Sequence, residues 1–334
     1  MDHGCSSIGM AGCDGLGSAA LYATRLSVCN VQVSESDKGS VMPRTLIVSA
    51  AQTGSVAAGD LATITDAAHA MLDEASRQGV RLLTFAELFL TPFFANRLEE
   101  NFDGWFMHEA HEVLLGLREK ARRHRIALVL PFAERAADGY FNSAFVYDEN
   151  GREAGRYRKT HIPAYFPQEG PGGTGSFEKF YFAPGATLET YTVAGTRIGV
   201  QICNDRLYPE ASRALALAGA ELIAMPIAFS TYADPAQRTS IWEVPLRARA
   251  YENGVFVLAC NRVGTEGPRH HLGRSMIVDP RGMIAAEAGT VEPQLLSAEI
   301  NLDEVSAARK KFPWWRDRRP DLYGRLVTPP APRS

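Results

Sequence analysis

No stretch of this 334-residue chain approaches the ~20 consecutive apolar residues that a bilayer-spanning helix needs. Charge of one sign is also missing. The formal balance of −3 gives no electrostatic case for binding nucleic acid or an acidic membrane. Cysteine is scarce: there are 5, and Cys5, Cys13 and Cys29 fall in the first thirty residues. They lack metal-like spacing and a nearby histidine pair, so neither zinc nor a disulfide framework is indicated. Cys203 and Cys260 instead follow apolar strands, and free thiols fit a reducing cytoplasm. The glycine-rich run Gly170-Pro-Gly-Gly-Thr-Gly175 lacks the Gly-Lys-Ser/Thr that would make it a phosphate loop. It reads as a flap near the mouth of a site. No internal repeat is evident.

Residues 1–41 are rich in glycine and serine and show no sustained period. They also lack the basic opening and apolar run of a signal peptide. They are expected to form a disordered tail, with Met42 as an alternative start. A single domain is expected over residues 42–327, with a short tail at 328–334. The 46% hydrophobic content is ample for a large core.

Within that domain strands and helices alternate. Strands are predicted at Leu46–Ala51, Leu82–Phe85 and Ile126–Pro131, with helices near Asp60–Arg77 and Glu109–Arg123 between them. Phe141–Tyr147 and Arg152–His161 flank the turn Asp148-Glu-Asn-Gly151, and Thr190–Val193 and Thr196–Ile202 flank Ala194-Gly195. Helix Pro209–Ala218, strand Glu221–Met225, a helix near Ile241–Glu252 and strand Val255–Ala259 follow. A late hairpin turns at Asp279–Gly282, before strand Leu296–Ile300 and a short helix near Asp303–Lys310. Two sheets packed face to face, each covered by helices, would bury such strands on both faces.

Three segments carry chemistry. Thr196–Cys203 is an apolar strand that ends on a thiol. Pro209 and Glu210 open a helix soon after, so the thiol falls on a sharp strand-to-helix turn. Such a turn exposes a side chain above a sheet and frees backbone N–H groups to hold an oxyanion. Arg81–Glu87 ends an apolar strand on a carboxylate, and Gly155–His161 delivers Lys159. A carboxylate can take the thiol proton. An ammonium can lower the thiol pKa and bind an oxyanion.

Ala86–Phe94, Tyr157–Pro163 and Ile202–Glu210, in this order, resemble the three signatures of the nitrilase superfamily of carbon–nitrogen hydrolases. Glu178–Gly185 and Arg316–Pro320 extend the resemblance to about residues 44–327. It implies a four-layer α-β-β-α sandwich and an oligomer, most simply a homodimer or higher. It also implies hydrolysis of a small-molecule C–N bond by Glu87 (base), Lys159 and Cys203 (nucleophile), with no cofactor or metal. Lys159 and the Asn204 backbone N–H would hold the oxyanion. Glu178 would orient the substrate or the hydrolytic water. His161, grouped with Arg206 and Asn204 on the substrate side, is expected to make a local hydrogen bond rather than to catalyse.

The segment Cys203-Asn-Asp-Arg206 resembles N-carbamoyl-D-amino-acid amidohydrolases, in which arginines after the nucleophile grip a carboxylate. Here Leu207 stands where that group has a second arginine. His161-Ile-Pro163, Glu178–Phe182 and Arg316–Pro320 resemble N-carbamoylputrescine amidases, which bind a cationic amine. Arg206, if it points into the pocket, would repel such a cation, so the expected substrate is an N-carbamoyl (ureido) compound bearing an acid group; the alternatives are N-carbamoylputrescine, the aliphatic amide or nitrile of another superfamily member, or a non-catalytic binding role. His270 and His271 are expected in a loop at the rim. The basic and aromatic run Arg309–Arg319, with Trp314 and Trp315, is expected to form a packed arm at a subunit contact.

Overall fold

The computed structural model describes residues 42–56, 60–163, 176–231 and 234–328. The N-terminal tail, the glycine-rich run at 170–175 and residues 329–334 lie outside the described residues. The strands are β1 (Thr45–Gln52), β2 (Leu82–Phe85), β3 (Ala127–Ala136), β4 (Gly139–Tyr147), β5 (Glu153–Arg158), β6 (Thr190–Val193), β7 (Thr196–Val200), β8 (Leu222–Pro226), β9 (Phe256–Cys260), β10 (Val263–Glu266), β11 (Arg269–Leu272), β12 (Met276–Val278), β13 (Ile284–Glu287) and β14 (Gln294–Asn301). The α-helices are α1 (Leu61–Arg77), α2 (Glu112–Arg123), α3 (Glu178–Tyr181), α4 (Pro209–Leu217), α5 (Pro235–Ile241), α6 (Glu243–Asn253) and α7 (Asp303–Lys311).

Two six-stranded sheets form, in the orders β14-β1-β2-β3-β4-β5 and β13-β12-β9-β8-β7-β6. Each has a parallel centre, β1-β2-β3 in one and β7-β8-β9 in the other, flanked by antiparallel strands. Parallel neighbours need crossovers, and α1, α2, α4 and α6 lie on those connections. Strand alternation then sorts the core into layers. Leu222, Ala224, Leu258 and Cys260 join β1 and β2 residues in the core between the sheets. Ile223, Met225, Val257 and Ala259 face the other way, against Leu215, Leu246 and Ala250 of α4 and α6. Helices α1 and α2 cover the first sheet, through Leu72, Leu114 and Leu117 among others. The expected α-β-β-α sandwich is therefore the observed fold.

Several elements differ from the sequence expectation. Strand β3 does not stop at Pro131 but runs on and forms a long hairpin with β4. Its pairing with β2 ends at Val129, so Pro131 lies where that edge is open and a missing N–H is tolerated. Helix α5 was not expected before α6, and neither was the β10–β11 hairpin. His270 and His271 both lie in β11 rather than in a loop; His270 is exposed, but His271 is fully buried. Its side chain alternates inward, next to Glu266. Trp315 packs against the outer core of the second sheet, with the Arg309 and Arg213 guanidinium groups 4.8 and 5.2 Å from its ring centroid. Among the described residues no helix is long and apolar enough to cross a membrane.

Candidate active site

Strands β2, β7, β8 and β9 all end at one edge of the sandwich, the side where ligands bind in parallel sheets. All four residues of β2 are buried. Past its end the chain turns sharply at Leu88, whose φ of 51° is left-handed. Glu87, between strand and turn, is fully buried. A buried carboxylate must be paired and hydrogen-bonded, and this one is. Lys159 Nζ and Asn142 Nδ2 each donate to its Oε1 at 2.8 Å, and the Ala228 N–H donates to Oε2 at 3.0 Å.

Lys159 sits one residue past β5, not inside a longer strand. Its backbone N–H donates to Asn142 O of β4 at 2.8 Å. The ammonium is fully buried between Glu87 and Glu178, whose Oε2 it reaches at 2.5 Å. Burial opposes the charge, but the Glu178 and Glu87 carboxylates outweigh it and hold the lysine pKa above its ordinary range. Glu178 opens α3 and is buried. Burial first, then Glu87, raises its pKa, while Lys159 pulls it down.

Cys203 lies on the strand-to-helix elbow, in a 3-10 turn spanning Cys203–Leu207. Its φ is 48° and it is partly buried. Burial first and then the Glu87 charge push the thiol pKa up to about 11; Lys159, as expected of an ammonium, and Arg206 pull it down but are outweighed. The resting thiol is therefore protonated at neutral pH.

The elbow is built on Asp205, which sequence reasoning did not single out. This buried carboxylate accepts from Tyr157 Oη (2.7 Å), Ile202 N (2.9 Å), Thr160 Oγ1 (3.1 Å) and His161 N (2.9 Å). His161 Nδ1 lies 2.9 Å from the same carboxylate, and the imidazole stacks on Tyr208 with 3.8 Å between centroids. His161 thus supports the elbow, and it is not among the residues lining the adjoining cavity. Asn204 does line it, and its Nδ2 donates to His161 O at 2.9 Å. Arg206 is buried; Nη1 donates to Cys203 O at 2.6 Å and lies 3.6 Å from Sγ. Its guanidinium carbon is 5.1 Å from the Phe229 ring centroid. Arg249 Nε donates to Arg206 O at 2.9 Å.

The cavity measures about 390 Å³, and both Cys203 and Glu178 open onto it. Among its described lining residues the charged groups are Glu178, Arg206, Arg238, Arg249 and Arg269. Asn142 and the Ala228 N–H, both on Glu87, were also missed by sequence reasoning. A polar residue inside a strand carries no signal of its partner until the fold closes. Among the described residues no cluster of three or more His, Cys, Asp or Glu is arranged to hold a metal.

The model of the family described as "Carbon-nitrogen hydrolase" matches residues 47–310. The chain belongs to the carbon-nitrogen hydrolase family. This carbon-nitrogen hydrolase is 33% identical over 285 residues to an N-carbamoylputrescine amidase of Solanum tuberosum, covering 80% of this chain and 91% of the relative. It is 34% identical over 217 residues to a citrullinase of Francisella tularensis subsp. tularensis, covering 62% and 73%. Among solved structures, a carbon-nitrogen hydrolase from Helicobacter pylori G27 superposes with a TM-score of 0.77 at 29% identity, covering 85% of this chain and 99% of that one. The protein is thus a hydrolytic enzyme of the nitrilase superfamily, acting on carbon–nitrogen bonds of the amide type.

Proposed function

We propose that this hydrolase cleaves an N-carbamoyl (ureido) compound bearing an acid group. Cys203 is the nucleophile and Glu87 the general base. Because the resting thiol holds its proton, transfer to Glu87 accompanies attack of Sγ on the carbamoyl carbon. Lys159 Nζ and the Asn204 N–H face the oxyanion that forms. Ammonia leaves with the proton held by Glu87, giving a thiocarbamate on Cys203. Water, oriented by Glu178, adds to that carbon and releases the thiol. The carbamic acid then loses CO2 to give the free amine.

One observation carries the substrate reading: four arginines and a single carboxylate are the charged groups among the described cavity residues, and that carboxylate is bonded to Lys159. Arg249 is paired with Glu252, but Arg206, beside Cys203, repels a cationic tail and offers a carboxylate a guanidinium fork. The names of the relatives favour a second reading. N-carbamoylputrescine amidases match over most of the chain, so the amine-terminated compound is the runner-up.

We further place the activity in residues 42–327, outside both tails, in a cytoplasmic homo-oligomer. Exposed Leu207, Tyr208, Ile241, Val244 and Tyr251 on neighbouring elements leave apolar surface for a second copy.

Ammonia release is to be measured across N-carbamoyl amino acids, N-carbamoylputrescine, simple amides and nitriles. In Arg206→Leu, KM for the acids rises roughly 30–150-fold, the worth of about 2–3 kcal/mol for one charge-assisted contact and much more than KM for an uncharged amide, which feels only the lost bond to Cys203 O. Equal loss on charged and neutral compounds rejects the carboxylate contact. A gain on N-carbamoylputrescine moves the assignment to the amine.

A further inference from the structure

Glu87 is held from two directions, and both lead to the same place. One is its own turn, through the left-handed Leu88. The other is the segment after β8, whose Ala228 N–H donates to Glu87 Oε2. Asn261 and Arg262, consecutive residues just past β9, grip both.

Arg262 has a fully buried guanidinium. Its Nη2 donates to Leu88 O at 2.7 Å and also to Thr91 O. Its Nη1 donates to Glu266 Oε1 at 3.0 Å. Glu266, at the end of β10, accepts the Phe93 N–H at 2.7 Å and the Val56 N–H at 3.1 Å. Burial works against the Glu266 charge, but Arg262 and His271 hold its pKa at about 2. Asn261 is also fully buried. Its Oδ1 accepts the Phe229 N–H at 2.8 Å, and its Nδ2 donates to Phe229 O at 3.3 Å and Gly273 O at 2.8 Å. Phe229 is the next residue after Ala228.

We infer that Asn261 and Arg262, with Glu266 as counter-charge, are positioning residues that set the orientation of the Glu87 carboxylate. A buried ion pair adds little net stability over an apolar replacement, so its use is sought in what it holds. It holds the carbonyl of a leucine whose backbone lies in a region that L residues avoid. Released, the peptide after Glu87 is free to rotate toward negative φ, carrying the carboxylate away from Lys159 and Cys203. The inference rests on the reading of Glu87 as the base.

The test compares Arg262→Met, Arg262→Lys, Glu266→Gln and Glu87→Gln in the full chain, with ammonia release from the fastest compound of the panel above and a thermal melt of each variant. Arg262→Met is expected to lower kcat by roughly 10²-fold, the scale of an ångström-level misplacement, with KM within about threefold. Arg262→Lys, which reaches one carbonyl but cannot bridge to the second and to Glu266, falls between it and the wild type. A folded Arg262→Met with wild-type kcat overturns the inference. So does a fall in kcat matched by an equal rise in KM. If Arg262→Met does not fold, the isosteric Glu266→Gln decides: kcat down roughly tenfold at constant KM supports the inference, and an unchanged kcat overturns it. An active Glu87→Gln removes the base reading and the inference with it. An inactive Glu87→Gln beside fully active Arg262 and Glu266 variants removes only the inference.

Discussion

Cys203 and Cys260 both end apolar runs in the same sheet, yet their surroundings have little in common. Cys260 is the last residue of β9 and points between the sheets. It is fully buried, and its Sγ donates to Ala51 O at 3.1 Å. Burial pushes its pKa well up, against a hydrogen bond with Ser275. Cys203 lies three residues past β7, on a turn, beside a cavity, coupled to Glu87, Lys159, Arg206 and Glu178. Both thiols are harder to ionise than a free cysteine. What separates them is a carboxylate and a fixed cation brought across from the opposite sheet. Position at a strand end does not by itself give a thiol charged neighbours and a cavity; convergence of the two sheets at one edge does.

The sharpest way to break this comparison is Cys203→Ala. It is expected to cut turnover at least about 10³-fold while the thermal melt stays cooperative, and Cys203→Ser is nearly as inactive. Comparable losses in Cys203→Ala and Cys260→Ala would end the distinction.

Lys159→Met tests the cation. It removes the proposed oxyanion donor, expected to cost about 10²–10³-fold in kcat. It also leaves two buried carboxylates without their counter-charge, which costs about 3–5 kcal/mol of stability, read by denaturant titration. Full activity in a folded Lys159→Met would leave Cys203 no better equipped than Cys260.

A third test reads the thiols directly. With its pKa at about 11, Cys203 loses its proton as pH rises. Its alkylation rate therefore climbs about tenfold per unit between pH 7 and 10, without a plateau near neutrality. Cys260, without solvent access, stays unmodified in the native protein, as peptide mapping after labelling will show. A plateau near pH 7 would mean that Lys159 dominates the thiol after all.

The smallest effect is expected for Cys260→Ala: kcat within about twofold of wild type, and a stability loss of about 1 kcal/mol for a deleted buried atom in a packed core.

The elbow at Cys203 was legible because its signals are local: an apolar strand, a thiol, then proline and an acidic residue at a helix start. Glu87 and Lys159 were legible as residues following strands, and the resemblance supplied their roles. The alternation of strand and helix was compatible with two packed sheets, and the resemblance singled out the sandwich. What sequence did not reveal is long-range. Asp205 sat inside a quoted motif, but its donors come from Tyr157, Thr160 and His161, more than forty residues earlier. Asn142 reads as one polar position on a strand until β4 is placed beside Glu87. The β10–β11 hairpin was missed because Arg269-His-His-Leu272 lacks the β-branched residues that mark strands. Tertiary pairing overrode that propensity.

The left-handed backbone of Cys203 has a consequence for how this protein can change. Only glycine adopts a φ near 48° freely, and other residues give up about 1 kcal/mol or more there. Cys203→Gly is thus the substitution that would relax the elbow, and it is also the one that deletes the proposed nucleophile. A selection for thermal stability alone would drift toward an inert protein at this position. Activity and robustness compete at a single codon, and a stabilised version of the enzyme must find its gains elsewhere in the sandwich.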